Sequence, residues 1–160
     1  MQTLVIYDSK FGNTEKIAEA IARGVATVGS VHVVDLTEAE EPLAEGPDLL
    51  LVGGPTQRRN MSPDLREFVG GLPAASLAGV STSAFDTRYR GSTLLMGSAG
   101  KEAAKVLTKA GGEFVAPPES FFIGRGGPLE RQTLEVGEVD RAEAWGRAVG
   151  SAALRERTAP

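Results

Sequence analysis

Short apolar runs alternate with helix-patterned stretches along this chain from end to end, and that alternation limits what it can fold into. The run Leu4-Val5-Ile6-Tyr7 reads as a first strand, and residues 14–28 read as a helix with Ile17, Ile21 and Val25 on one face. Residues 31–36 form a second strand. Residues 49–52 form a third, a continuous apolar run of the kind buried on both faces. Ser62-Pro63 opens a helix to about Val69, with Ser as cap and Pro as first helical residue. Residues 80–85 are a fourth strand and 98–110 a helix stopped by Gly111-Gly112. Residues 113–123 are a fifth strand that Pro117-Pro118 either splits or confines to the sheet edge. A loop over 124–137 leads to a last helix over 136–154.

The order βαβ(α)βαβαβα implies an α/β fold: a parallel sheet between two helical layers, joined by right-handed crossovers. Five strands with the broken one at an edge suit the order 2-1-3-4-5. At 160 residues the chain is expected to form one domain over residues 1–154, with residues 155–160 as a frayed tail. The acidic stretch 37–48, interrupted by Pro42 and Pro47, holds at most a short helix. Its Glu38, Glu40, Glu41, Glu45 and Asp48 make a solvated patch able to steer a basic partner.

Several functions are excluded or disfavoured. With no cysteine there is no disulfide, zinc-thiolate site, iron–sulfur cluster or thiol nucleophile. The single His32 lies in a strand, so a His-based triad or metal site is not expected. A net charge of −4 argues against nucleic acid as a partner. No membrane span or leader pattern is visible, and the expectation is a cytoplasmic protein. Trp145 is expected to pack the last helix on the sheet, and Lys101 to be a solvated helix charge.

In a sheet of this order ligands bind beyond the carboxyl ends of the strands, where the strand order reverses. Three segments gather there: 8–14, 53–61 and 86–97. The first, within "YDSKFGNTEKIA", ends at a helix N-terminus, whose main-chain N–H groups lack intrahelical partners and carry partial positive charge. Ser9 and Thr14 add hydroxyls, Asn13 an amide, and Gly12 allows close approach. Such a cradle suits a phosphate. The plainer alternative is a helix capped by Asn13 or Thr14. No GxGxxG follows the first strand and no GxxxxGK[ST] occurs.

"VIYDSKFGNTEKIA" resembles the phosphate loop of the flavodoxins and flavodoxin-like FMN domains: Val5, Ile6, Tyr7, Ser9, Gly12, Thr14 and Ala18 fit, while Glu19 stands where an aliphatic residue is usual. The resemblance implies FMN as cofactor, with Ser9, Lys10, Phe11, Gly12, Asn13 and Thr14 around its phosphate. It also implies two ring loops. One is 53–63, with Pro55-Thr56-Gln57, Arg58 and Asn60; the other is 85–91, with Asp86, Thr87, Arg88 and Tyr89. Solvated loops with an internal Asp86–Arg88 or Asp86–Arg90 pair are the alternative.

The first ring loop lacks the stacking aromatic often found in the family, leaving Met61 or Tyr89 to cover the ring. Arg58 and Arg59 are expected to make the two-electron couple less negative than in an acidic flavodoxin. Asn60, which tolerates left-handed backbone angles, is the candidate for the carbonyl that turns toward flavin N5. The implied function is electron transfer, with redox proteins docking transiently at the flavin edge. An FMN-dependent NAD(P)H:quinone-type oxidoreductase and a flavin-free binding module on the same fold are the alternatives.

Overall fold

The computed structural model describes residues 1–124 and 132–159, so the expected loop over 124–137 lies mostly outside the described residues. The strands are β1 (Gln2–Tyr7), β2 (Ser30–Asp35), β3 (Leu49–Pro55), β4 (Ser81–Tyr89), β5 (Glu113–Phe114) and β6 (Glu119–Ile123). The helices are α1 (Asn13–Val25), α2 (Glu40–Ala44), α3 (Pro63–Gly70), α4 (Thr93–Met96), α5 (Ala99–Lys109) and α6 (Glu138–Thr158), with a 3₁₀ turn at Leu36–Glu38.

The sheet runs β2-β1-β3-β4-β5, as expected, and every pairing in it is parallel. The double proline divides the fifth strand. Both halves remain on the edge against β4: Glu113 and Phe114 beside Ser81 and Thr82, and β6 beside Phe85 to Tyr89.

Side chains alternate across the sheet and build a core on each face. Leu4, Ile6, Leu50 and Val52 pack with Leu65, Val69, Ala103 and Leu107 under α3 and α5. Val5, Leu49, Leu51 and Phe85 pack with Ile17, Ile21, Val25 and Val149 under α1 and α6. Ile17, Ile21 and Val25 are fully buried, and each contributes about 2 kcal/mol of burial. Trp145 meets Phe85 and Phe121 edge-on, with centroids 6.4 and 6.2 Å away, and so packs α6 on the sheet. His32 is exposed on β2.

Three boundaries differ from expectation. Gly53, Gly54 and Pro55 belong to β3, in register with Phe85, Asp86 and Thr87. Residues 86–89 are likewise strand: β6 pairs with all four, and β3 takes the other side of Asp86 and Thr87. The expected frayed tail is helical through Thr158. Arg155, Glu156 and Arg157 are good helix formers, and Arg157 reaches Asp48 Oδ1 at 2.8 Å.

Candidate functional site

The cleft begins where β1 ends. Asp8 N donates to Gly53 O at 3.0 Å, and the buried Asp8 carboxylate accepts a short hydrogen bond from Ser62 Oγ. Ser62 caps α3, accepting from Leu65 N at 3.3 Å, with Pro63 at the first helical position. The cradle loop is thereby tied to both β3 and α3.

Gly12 is the residue before α1, at φ 80, a left-handed conformation that costs a glycine nothing. It carries no side chain to cap the helix, and neither Asn13 nor Thr14 takes that role. The plainer alternative of a side-chain cap is therefore not what the structure holds. Lys16 N is the first amide to bond back, to Gly12 O at 3.2 Å, leaving Asn13, Thr14 and Glu15 N–H without intrahelical acceptors.

The side-chain donors of the cradle differ in what remains open. Ser9 Oγ accepts from Gly12 N at 3.1 Å and keeps its own proton. Thr14 Oγ1 and Thr87 Oγ1 share a 2.8 Å hydrogen bond, so one of the two protons stays available. The Asn13 side-chain amide donates to Gln132 O at 3.0 Å and serves to hold the segment after β6.

A cleft of about 390 Å³ opens over this helix end, in the size range of small-ligand sites. Ser9, Lys10, Phe11, Asn13 and Thr14 line one wall, and Pro55, Thr56, Gln57, Arg58, Thr87 and Tyr89 line the others. Ile123 and Gln132 complete it. These two lay outside the sequence expectation, because they come from the end of a proline-split edge strand and from the segment after it. The Tyr89 hydroxyl accepts a short hydrogen bond from the Gln132 amide, which closes that corner.

Four expected residues do not line the cleft. Gly12 serves it through its backbone angle. Asp86 and Arg88 alternate with Thr87 and Tyr89 along β4 and face away from it. Asp86 is fully buried; its Oδ2 accepts from Ser98 Oγ at 2.5 Å, Gly100 N at 3.0 Å and Thr56 Oγ1 at 3.1 Å. Its Oδ1 has no hydrogen bond and faces Arg88 Nε at 3.8 Å. Arg88 donates to Ser120 Oγ and to the carbonyls of Tyr89 and Gly91. The Asp86–Arg88 pair of the alternative reading exists, inside the strand rather than in a solvated loop, while Arg90 pairs with Glu135.

Asn60 is the fourth, and the left-handed residues are its neighbours. Gln57 and Asn60 exchange backbone hydrogen bonds of 2.8 and 2.9 Å around Arg58 (φ 45) and Arg59 (φ 77). This is a two-residue hairpin of the type that favours Asn-Gly, built here from two arginines. Met61 is 3% exposed and packs in the core, so it is not a ring cover.

Below the cleft, Tyr7 donates to Glu15 Oε1 at 3.2 Å. Burial, and then the charge of Glu15, push the phenol up to about 12. Among the described residues no group of three or more His, Asp or Glu side chains is placed to hold a metal ion. No described helix is long and apolar enough to cross a membrane.

The flavodoxin family model matches residues 5–146. A flavodoxin of Clostridium saccharobutylicum is 27% identical over 89 residues, 54% of this chain and 56% of that protein, so the chain spans little more than half of this curated relative. Among solved structures, a flavodoxin from Archaea superposes with a TM-score of 0.77 at 19% identity, covering 96% of this chain and 99% of that one. Oxidised Flavodoxin 1 of Bacillus cereus gives 0.75 at 20% identity, covering 94% and 97%. Rubredoxin oxygen:oxidoreductase of Desulfovibrio gigas gives 0.74 at 17% identity, covering 99% of this chain and 37% of that one. The structural likenesses establish the fold, and flavodoxins bind FMN. With the family model spanning all but the chain's two ends, this protein belongs to the flavodoxin family.

Proposed function

We propose that the cleft holds FMN and that the protein carries electrons between redox partners. The observation that carries this is the uncapped start of α1, three amides without intrahelical acceptors opening on a cleft of ligand size. Those amides, the Ser9 and Thr14 hydroxyls and the Lys10 ammonium suit a phosphate dianion. Thr56, Gln57 and Arg58 supply polar contacts to the ring, and Phe11, Tyr89 and Ile123 supply apolar and aromatic surface around it. Thr87 bridges the two halves by its bond to Thr14. Bound there, FMN supplies the redox chemistry, and the chain's residues anchor it and exclude water from it. Asp86 and Arg88 support these residues from behind, and the Asn13 amide holds the segment after β6.

The absorption spectrum of the purified protein tests this. Two visible flavin bands, released on denaturation, are expected, with weaker FMN uptake in Ser9→Ala and Thr14→Ala variants. A colourless protein that takes up no added FMN ends the reading. Rapid steady-state oxidation of NADH or NADPH by the FMN-loaded protein replaces the carrier with an oxidoreductase.

A further inference from the structure

Six large apolar side chains are exposed among the described residues, and three of them, Phe11 (73%), Leu94 (82%) and Leu95 (69%), belong to the segments that follow β1 and β4. Phe11 and Arg58 both line the cleft. From Arg58 the surface continues to Arg59, whose guanidinium donates to Leu94 O at 3.0 Å. Arg59, Leu94, Lys101 and Lys105 then line a shallow groove of about 430 Å³ next to the cleft. The apolar residues of this rim are thus interleaved with cations.

The acid in that groove is already engaged. Glu102 accepts from Met61 N at 2.9 Å and pairs with Arg66 at 3.2 Å. Among the described residues, Lys10, Arg58, Arg59, Lys101 and Lys105 have no acidic partner. Lys101 and Lys105 sit one helical turn apart on the exposed face of α5, so their charges point the same way. Lys101 occupies the first turn of that helix, where the macrodipole disfavours a cation. Helix stability therefore does not account for it. The chain as a whole carries −4, and Glu45 and Asp48 precede β3 at the opposite end of the sheet. The unpaired cations are thus concentrated in one local patch, formed by the 57–60 hairpin and the start of α5 beside the cleft.

We propose that this rim is a docking surface for an acidic redox protein, with Leu94, Leu95 and Phe11 as apolar contacts and the surrounding arginines and lysines as electrostatic guides. The unpaired cations of this patch favour an acidic partner on it. The redox nature of the partner rests on the electron-carrier reading, whereas the docking surface stands on charge and exposure alone. A small contact of this kind is weak and salt-sensitive.

The test uses the full chain labelled with ¹⁵N and oxidised plant-type [2Fe–2S] ferredoxin as the acidic probe, whose binding broadens amide resonances at the contact. At about 20 mM salt, amides in 11, 57–60, 93–96 and 101–105 are expected to broaden, and at about 300 mM to recover. Lys101→Glu/Lys105→Glu is expected to weaken the ferredoxin about tenfold, with Lys101→Gln/Lys105→Gln intermediate and the rest of the spectrum unchanged. The proposal is overturned if no amide broadens at low salt, if broadening maps to 38–48, or if salt has no effect. Equal broadening of the rim by the basic haem protein cytochrome c, or tighter binding of a DNA oligomer, also overturns it. FMN uptake is read separately by absorbance. Docking without FMN uptake keeps the surface and ends the carrier reading; FMN uptake without docking ends this proposal alone.

Discussion

Thr56 Oγ1 donates a 3.1 Å hydrogen bond to Asp86 Oδ2 while accepting one of 2.9 Å from Ala99 N. A single hydroxyl thus links the cleft loop after β3, the buried carboxylate of β4 and the start of α5. The Asp86 charge also sits against the amino end of α5 through Gly100 N, where the helix dipole stabilises it. Asp86→Ala leaves three donors and the Arg88 guanidinium without their acceptor. It is expected to cost about 3–5 kcal/mol in urea unfolding. Thr56→Val, which removes one link, costs about 1–3 kcal/mol and weakens FMN uptake in step. An Asp86→Ala protein as stable as the parent would show that this linkage contributes nothing.

Arg58 and Arg59 hold left-handed backbone angles that cost a residue with a Cβ about 1–2 kcal/mol. Arg59→Gly relieves that strain at the second turn position and is expected to raise the unfolding free energy by about 1 kcal/mol, read as a higher urea midpoint at unchanged slope. A fall in midpoint would mean that the Arg59 side chain, through its bond to Leu94 O, stabilises the turn more than its backbone strains it.

The same turn is expected to tune bound FMN. Arg58 lines the cleft, whereas Arg59 turns toward Leu94. Removing the nearer positive charge disfavours the electron-rich form of the cofactor. Arg58→Gln is expected to lower the two-electron potential by about 20 mV, equivalent to about 1 kcal/mol, and Arg59→Gln by less. Spectroelectrochemical titration of both variants decides it; potentials that rise or stay fixed refute a role for Arg58.

Gly97 packs its backbone onto the same turn. A Cβ there would lie 1.9 Å from Arg59 O, and its φ is 71. Gly97→Ala is expected to destabilise the protein by about 2 kcal/mol or more and to loosen FMN, because the Arg58-Arg59 turn must move aside. Unaltered stability and FMN affinity would show that the segment 91–98 yields instead.

Tyr7 gives a pH signature. Its phenol is held protonated to about 12 in the folded chain, against an ordinary value of 10.0. The folded state therefore binds more protons than the unfolded one between those values. The stabilisation is complete below pH 10 and is lost as pH rises toward 12. Tyr7→Phe is expected to flatten the decline of stability over that range; an unchanged slope in pH-dependent unfolding would refute it.

What the sequence determined by itself was periodic or local. Apolar runs of four residues, helix faces spaced by fours, the Ser62-Pro63 start and the double proline at 117–118 each carry their reason within a few residues, and the sheet order follows from the alternation they produce. The glycine-led start of α1 was equally legible, since a glycine before a helix acts through its own backbone. Tertiary structure decided the rest. Residues 86–89 look like a polar loop until β6 pairs with them, β3 flanks Asp86 and Thr87, and the Asp86 and Arg88 charges face each other out of water. Ile123 and Gln132 reach the cleft only because β6 pairs with β4. The left-handed pair at Arg58-Arg59 could not be read from residue type, because arginine does not favour it. Long-range pairing of backbone and buried charge outweighs local preference where the two conflict, and those conflicts lie around the cleft.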